Sequence, residues 1–232
     1  MREIVFDTET TGLNPASGDR MVEIGCVEIF NRVETGRHFH AYFNPERDMP
    51  FDAQEVHGLS NLFLSDKPRF AEKADELLDF IEDSPLVAHN ATFDFGFLNF
   101  ELERTGRPGV PLSRMVDTLT LARTRHPGAK HSLDALCIRF GIDRSQRVKH
   151  GALLDAQLLA QVYVELTGGR QIGLGLVAES GTVSVAESQR PVVVRELRPA
   201  RPHFAAAEEL ERHRAFIARL VNPLWERFAG AN

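Results

Sequence analysis

Two carboxylates stand two residues apart in FDTETTG, residues 6–12. Ile4, Val5 and Phe6 read as a short buried strand, so Asp7 and Glu9 sit where apolar residues would be expected to continue. Alternate residues of an extended chain share a face, which points Asp7 and Glu9 the same way and Thr8 the other. Like charges that close repel unless something positive stands between them. The stretch is therefore either a solvated strand end running into the Gly12–Pro15 turn or one side of a metal site.

Two more acids sit on apolar faces. Asp94 shares a helix face with Phe97, Leu98 and Leu102, and Asp155 shares one with Leu158, Leu159, Val162 and Leu166. Each lies near the start of its helix, where the terminal amides favour negative charge, and a helix-start acid held by that dipole alone is the simpler account of either. A buried carboxylate that finds no cation becomes protonated. Four carboxylates from three elements, converging at one edge of a sheet, would suit a hard cation such as Mg²⁺ or Mn²⁺. They could hold two ions roughly 4 Å apart, the arrangement that serves in-line attack on phosphate. His150, just before the Asp155 helix in KHGALLDA, could take a proton from an attacking water. There is no Cys/His cluster with zinc spacing and no P-loop, and GLG at 173–175 lacks a strand–helix context.

These residues need a scaffold. The opening strand, MVEIGCVEIF and RHFHAYFN suggest an antiparallel meander. FAEKADELLDFIED places Phe70, Ala74, Leu77, Leu78 and Ile81 on one stripe and predicts an amphipathic helix. PLVAHN reads as a buried strand, ATFDFGFLNFELERTG as a helix ending at Gly106, and SRMVDT as another strand. LTLARTRH, SLDALCIRFG starting at Ser132, and ALLDAQLLAQVYVELTGG stopping at Gly168–Gly169 read as helices. Strands followed by strand–helix alternation predict an α/β domain with a mixed sheet.

The texture changes from about residue 168 to 203, where Gly, Ser, Pro and Arg dominate and no period persists, as in a linker. A helix-like stretch returns at AAAEELERHRAFIARLVNPLWERF, halted by Asn222–Pro223 and with too few apolar residues for a core of its own. The net charge of −6 divides into −8 over residues 1–190 and +2 over 191–232, so a polyanionic partner would need cations at the acidic site. No apolar run reaches the length of a membrane span, and the N-terminus lacks a signal-peptide layout. Cys26 and Cys137 read as buried free thiols of a reducing, cytoplasmic environment.

FDTETTG, HNATFD and HGALLDA resemble, in order and context, the three exonuclease motifs of the DEDDh group of 3′-to-5′ exonucleases, over residues 3 to about 168 and with VHGL between them. The sister DEDDy group has Tyr four residues before the last Asp; Gly151 stands there, and His150 fits the His variant. The resemblance implies an α/β, ribonuclease H-like mixed β-sheet flanked by helices, with a flexible C-terminal tail. It implies Asp7, Glu9, Asp94 and Asp155 as ligands of two divalent ions, Asp7 bridging both, and His150 as general base. It implies contacts to a single-stranded DNA 3′ end from Asp7, Glu9, Thr10, Thr11, Gly12, Asp52, His57, Asn90 and Asp155, with Asp52 where related chains can carry Glu. Nucleoside 5′-monophosphates would be the product.

The tail aligns the chain with proofreading members that work beside a replicative DNA polymerase, since free-standing ribonucleases of this type end near the last helix. The implied layout is an exonuclease domain over 1–168, a linker over 169–203 and a helical segment over 204–232 docking on the polymerase catalytic subunit, with Trp225 a candidate anchor. QIGLGL, residues 171–176, resembles a sliding-clamp peptide, with Gln171, Leu174 and Leu176 as its anchors. A small stabilising subunit is a further implied partner. The alternatives are a stand-alone exoribonuclease or DNase, and a non-catalytic adaptor, which would lack one of the five chemical groups.

Overall fold

The computed structural model describes residues 1–147, 149–169 and 204–221. Five strands form one sheet in the order β3-β2-β1-β4-β5. β1 (Arg2–Thr10), β2 (Met21–Phe30) and β3 (Val33–Tyr42) make the expected antiparallel meander, and β4 (Leu86–Ala88) and β5 (Met115–Asp117) run parallel to β1. This is the mixed sheet of an α/β domain.

Strand β1 is longer than its apolar stretch. Its ladder to β2 runs from Arg2↔Phe30 to Thr10↔Met21, with a register shift after Glu9, so Asp7 and Glu9 lie inside the strand and not at its end. Backbone hydrogen bonds set strand length, and the pairing Asp7↔Gly25 and Glu9↔Glu23 continues whatever the side chains carry. β3 likewise begins four residues before RHFHAYFN, through the exposed half of its hairpin.

Helices cover both faces. α1 (Phe51–His57) and α2 (Asn61–Leu64) are short and went unread, because neither spans enough turns to show a period. α3 (Phe70–Ile81) and α4 (Thr92–Arg104) pack on one face with Ile4, Phe6, Ile24 and Cys26. On α3 the expected stripe is buried at Phe70, Ala74, Leu77 and Ile81, and Leu78 packs against it. α7 (Ala152–Leu166) covers the other face, setting Ala156, Leu159, Ala160 and Tyr163 on Val5, Val27, Ile29 and Val87. α5 (Thr118–Arg125) and α6 (Leu133–Phe140, capped by Ser132) back α7 through Ala122, Leu136 and Cys137. Cys26 and Cys137 are buried and unpaired.

Gly106, Gly168 and Gly169 carry the positive φ that ends α4 and α7. In a separate unit, α8 (Ala207–Ile217) ends before Asn222; its last turn tightens, with Arg219 and Leu220 N–H groups donating three residues back. The linker over 170–203, with Gln171, Leu174 and Leu176, and the end of the chain with Trp225 lie outside the described residues, as does the expected tail flexibility. No described helix is long and apolar enough to cross a membrane.

Candidate active site

The carboxyl ends of β1 and β4 and the first turns of α4 and α7 meet at one edge of the sheet. Asp7 is half-buried, and Glu9, Asp94 and Asp155 are buried. α7 comes this close to the sheet because of Gly25: a Cβ there would lie 2.3 Å from the Leu153 backbone N and Cα. Opposite Asp7 in the ladder, Gly25 lets α7 rest on backbone and brings Asp155 against β1.

The carboxylates feel one another. Burial pushes Asp7 well above the usual carboxylate range, helped by Asp94, Glu9, Asp155 and Glu23. Burial, then Glu23, Asp155 and Asp94, raises Glu9 to about 8, against a smaller opposing pull from Arg147. Asp94 is raised by burial to about 7 although the Thr8 hydroxyl donates to its Oδ1 at 2.7 Å. Thr8 points to the face of the sheet opposite Asp7 and Glu9, as strand alternation requires. Asp155 goes the other way: burial works to raise it, but hydrogen bonds from Arg147 and His150 outweigh burial and hold it below the usual range.

His150 lies two residues before α7 with its side chain half-exposed. Its Nδ1 is 3.2 Å from Asp155 Oδ2, and its backbone N–H donates to Val56 O of α1 at 3.3 Å. One ligand atom each from Glu9, His150 and Asp155 falls within 4.8 Å of the others. Glu9 Oε1 is buried without a hydrogen-bond partner among the described residues. An orphaned carboxylate oxygen amid acids that resist ionising is the donor set a hard divalent cation would satisfy, so these residues fit the metal that the sequence implies.

Beside the carboxylates opens a cavity of about 440 Å³ lined by Thr8, Glu9, Thr10, Thr11, Gly12 and Leu13 from β1 and the turn after it, by Pro50, Asp52, Ala53, Val56 and His57 around α1, and by Phe93. That volume suits a single nucleotide. Six sequence-proposed substrate residues (Glu9, Thr10, Thr11, Gly12, Asp52 and His57) line it, whereas Asp7, Asn90 and Asp155 do not. Asn90 is exposed with φ +62° and its N–H bonds Asp117 Oδ1 at 3.0 Å, shaping the turn into α4.

Thr10 Oγ1 donates to Gly12 O at 2.6 Å, and Thr11 Oγ1 accepts the Arg20 N–H at 2.9 Å. Both hydroxyls thus help build the turn. Arg20 braces that turn from within, forking Glu101 of α4 at 2.7 and 2.9 Å. His57 Nδ1 accepts the Leu59 N–H at 3.0 Å, which leaves Nε2 the donor; it is buried close to the Thr10 backbone with no hydrogen bond closed.

Sequence reasoning missed four contributors. Gly25 left a trace, as the residue without a side chain between Ile24 and Cys26 of β2. Thr8 and Glu23 follow from strand register once β1 and β2 are paired. Arg147, which forks Asp155 at 2.6 and 2.8 Å, is one of several basic residues in a polar loop and carries no signal of its own.

The family model for exonucleases (RNase_T) matches residues 4–163. The DNA polymerase III subunit epsilon of Rickettsia felis is 49% identical over 95% of this chain and 97% of its own length. That of Escherichia coli (strain K12) is 44% identical over 92% and 91%. Among solved structures, Exonuclease X in complex with 5′ overhanging duplex DNA aligns at TM-score 0.54 and 25% identity, covering 71% of this chain and 90% of that one. The nuclease domain of 3′hExo, a DEDDh family member bound to rAMP, shares the fold at TM-score 0.62 and 16% identity, over 72% and 91%. Such a family implies dependence on divalent metal. The chain belongs to the exonuclease family, among the DNA polymerase III epsilon subunits.

Proposed function

We propose that this protein removes nucleotides one at a time from DNA 3′ ends by metal-dependent phosphodiester hydrolysis, as the proofreading subunit of a replicative polymerase. The observation that carries the reading is the convergence of Asp7, Glu9, Asp94, Asp155 and His150, with Glu9 also lining a nucleotide-sized cavity. Asp7, Glu9, Asp94 and Asp155 would hold two divalent ions, Mg²⁺ or Mn²⁺. Ions bound there supply an activated water and a counter-charge for the departing 3′-oxygen.

The chain's own residues do the rest. His150 receives the proton of the attacking water at the exposed lip of the site. The Thr10–Gly12 turn and the Pro50–His57 wall enclose the terminal nucleoside, with Phe93 and Val56 as apolar surfaces and His57 Nε2 as a buried donor. Asp52 contributes from the rim, and Asn90 by fixing the start of α4. Cleavage of the last phosphodiester leaves a nucleoside 5′-monophosphate and a shortened strand.

The assembly is read from the sequence: residues 1–168 as nuclease, 169–203 as linker, and 204–232 docking on the polymerase catalytic subunit. Gln171, Leu174 and Leu176 would engage the sliding clamp, and a small stabilising subunit would complete a cytoplasmic complex.

The test uses a 5′-labelled primer–template with a matched or mismatched 3′ end, in Mg²⁺ or EDTA, beside a single-stranded RNA of equal length. Metal-dependent stepwise shortening, fastest on the mismatch, is expected, and Asp7→Ala should lower it at least ~10³-fold with the fold retained. Preference for RNA would move the assignment to a ribonuclease, and an active Asp7→Ala would overturn the ligand set.

A further inference from the structure

Arg147 makes more hydrogen bonds at the site than any role so far requires. Its Nε meets Asp155 Oδ1 at 2.6 Å and its Nη2 meets Oδ2 at 2.8 Å. Nη2 also lies 2.9 Å from His150 Nδ1, which accepts from it in one tautomer and donates to Asp155 in the other, and Nη1 donates to Asp134 Oδ1 at 3.1 Å. Asp134 is held in turn by Arg144 at 2.7 Å. All three guanidinium nitrogens are engaged, so the plane cannot turn without losing contacts on both sides. The side chain is 10% exposed, and Asp155's is 3% exposed.

Each carboxylate oxygen has two lone pairs, so a fork that takes one from each leaves Oδ1 a second for a metal ion, while Oδ2 also faces His150 Nδ1 at 3.2 Å. Rear anchoring by a half-exposed Asp134 suits a fixed strut better than an arm that swings aside. An ordinary buried ion pair offers little over apolar packing in stability, so stability alone does not account for this one.

We propose that Arg147 is a positioning residue that locks Asp155 and His150 into one unit and thereby sets the affinity and competence of the metal site. This rests on Asp155 being a metal ligand, as proposed above. Outer partners that orient a ligating carboxylate are worth about 10- to 100-fold in metal affinity or activity.

The experiment measures Mn²⁺ binding by calorimetry, and kcat and KM on a single-stranded DNA oligonucleotide, for the full-length wild type, Arg147→Gln, Arg147→Lys and Asp134→Asn. Arg147→Gln should bind Mn²⁺ about tenfold more weakly and lose about 10- to 100-fold in kcat, with KM within about threefold. Lys, a point charge without a fork, should restore little of either. Asp134→Asn touches neither Asp155 nor His150 and should shift both quantities the same way by about two- to fivefold, at an unchanged melting temperature.

Unchanged or tighter Mn²⁺ binding in Arg147→Gln would make Arg147 a bystander or a competing cation and overturn the proposal. So would a loss confined to KM, which marks a phosphate contact. If Arg147→Gln does not fold, unaltered binding and kcat in Asp134→Asn overturn it instead. A wild type that binds no Mn²⁺ defeats the ligand reading itself, which separates the two failures.

Discussion

Asp94 and Asp155 look alike in the sequence: each is an acid in the first turn of a helix, followed by apolar residues at i+3 and i+4. In the folded protein they behave oppositely. Among the described side chains Asp94 hydrogen-bonds only the neutral Thr8 hydroxyl, and burial raises it to about 7. Asp155 meets a guanidinium and is held below the usual range. The helix start is common to both, so the difference comes from the partner that tertiary packing brings. One half of the cluster gains negative charge reluctantly and the other carries it at any physiological pH, an asymmetry suited to a site that takes up cations.

The largest effects should come from breaking each half in turn. Asp155→Asn and Asp94→Asn are both expected to cut hydrolysis at least ~10³-fold in the primer assay, as proposed ligands. Their stabilities should diverge. Asp155→Asn leaves the buried Arg147 to the half-exposed Asp134 and should cost about 3 kcal/mol in denaturant unfolding of metal-free protein. Asp94→Asn removes a carboxylate that resists ionising and should leave stability within about 1 kcal/mol at pH 7. Equal destabilisation by the two would erase the contrast.

Gly25→Ala strikes the close approach that unites the halves. Its new methyl meets the α7 backbone at 2.3 Å, so α7 must shift, at about 2–3 kcal/mol and with loss of metal binding seen by calorimetry.

Titration sharpens the comparison. Asp94 and Glu9 have folded pKa values of about 7 and about 8, above their ordinary 3.8 and 4.5. Groups raised in this way contribute stability below their ordinary values, and that stability is lost as pH rises through 7 to 8. Metal-free protein should therefore melt progressively lower from pH 5 to pH 8.5, more shallowly in Asp94→Asn, while Mn²⁺ flattens the slope. Asp155, lowered, stabilises above its ordinary 3.8 and loses that contribution only below it. A melting temperature that rises across pH 5 to 8.5 would contradict the assignment of charge.

The smallest change is Thr8→Val, which deletes the one side-chain donor to Asp94. It should cost about 1 kcal/mol, and lower activity far less than either Asp substitution.

Much of this architecture was present in one dimension. The meander, the two parallel strands, the stripe on α3 and the Ser132 and Gly106 boundaries all follow from local periodicity and capping, which depend on near neighbours. The short helices α1 and α2 did not show, because neither spans enough turns to reveal a period. The four carboxylates were legible as misfits, charged residues on apolar faces, and resemblance gave them a common purpose.

The sequence by itself determined which groups the site has: the acids, the imidazole and the alternation that puts Asp7 and Glu9 on one face and Thr8 on the other. Only the tertiary structure decided how they differ. Arg147 finds Asp155 from a polar loop, Glu23 faces Glu9 across a ladder, and Gly25 sets the distance between β1 and α7. Charge interactions depend on distance and burial, and those are properties of packed elements that no stretch of chain contains alone.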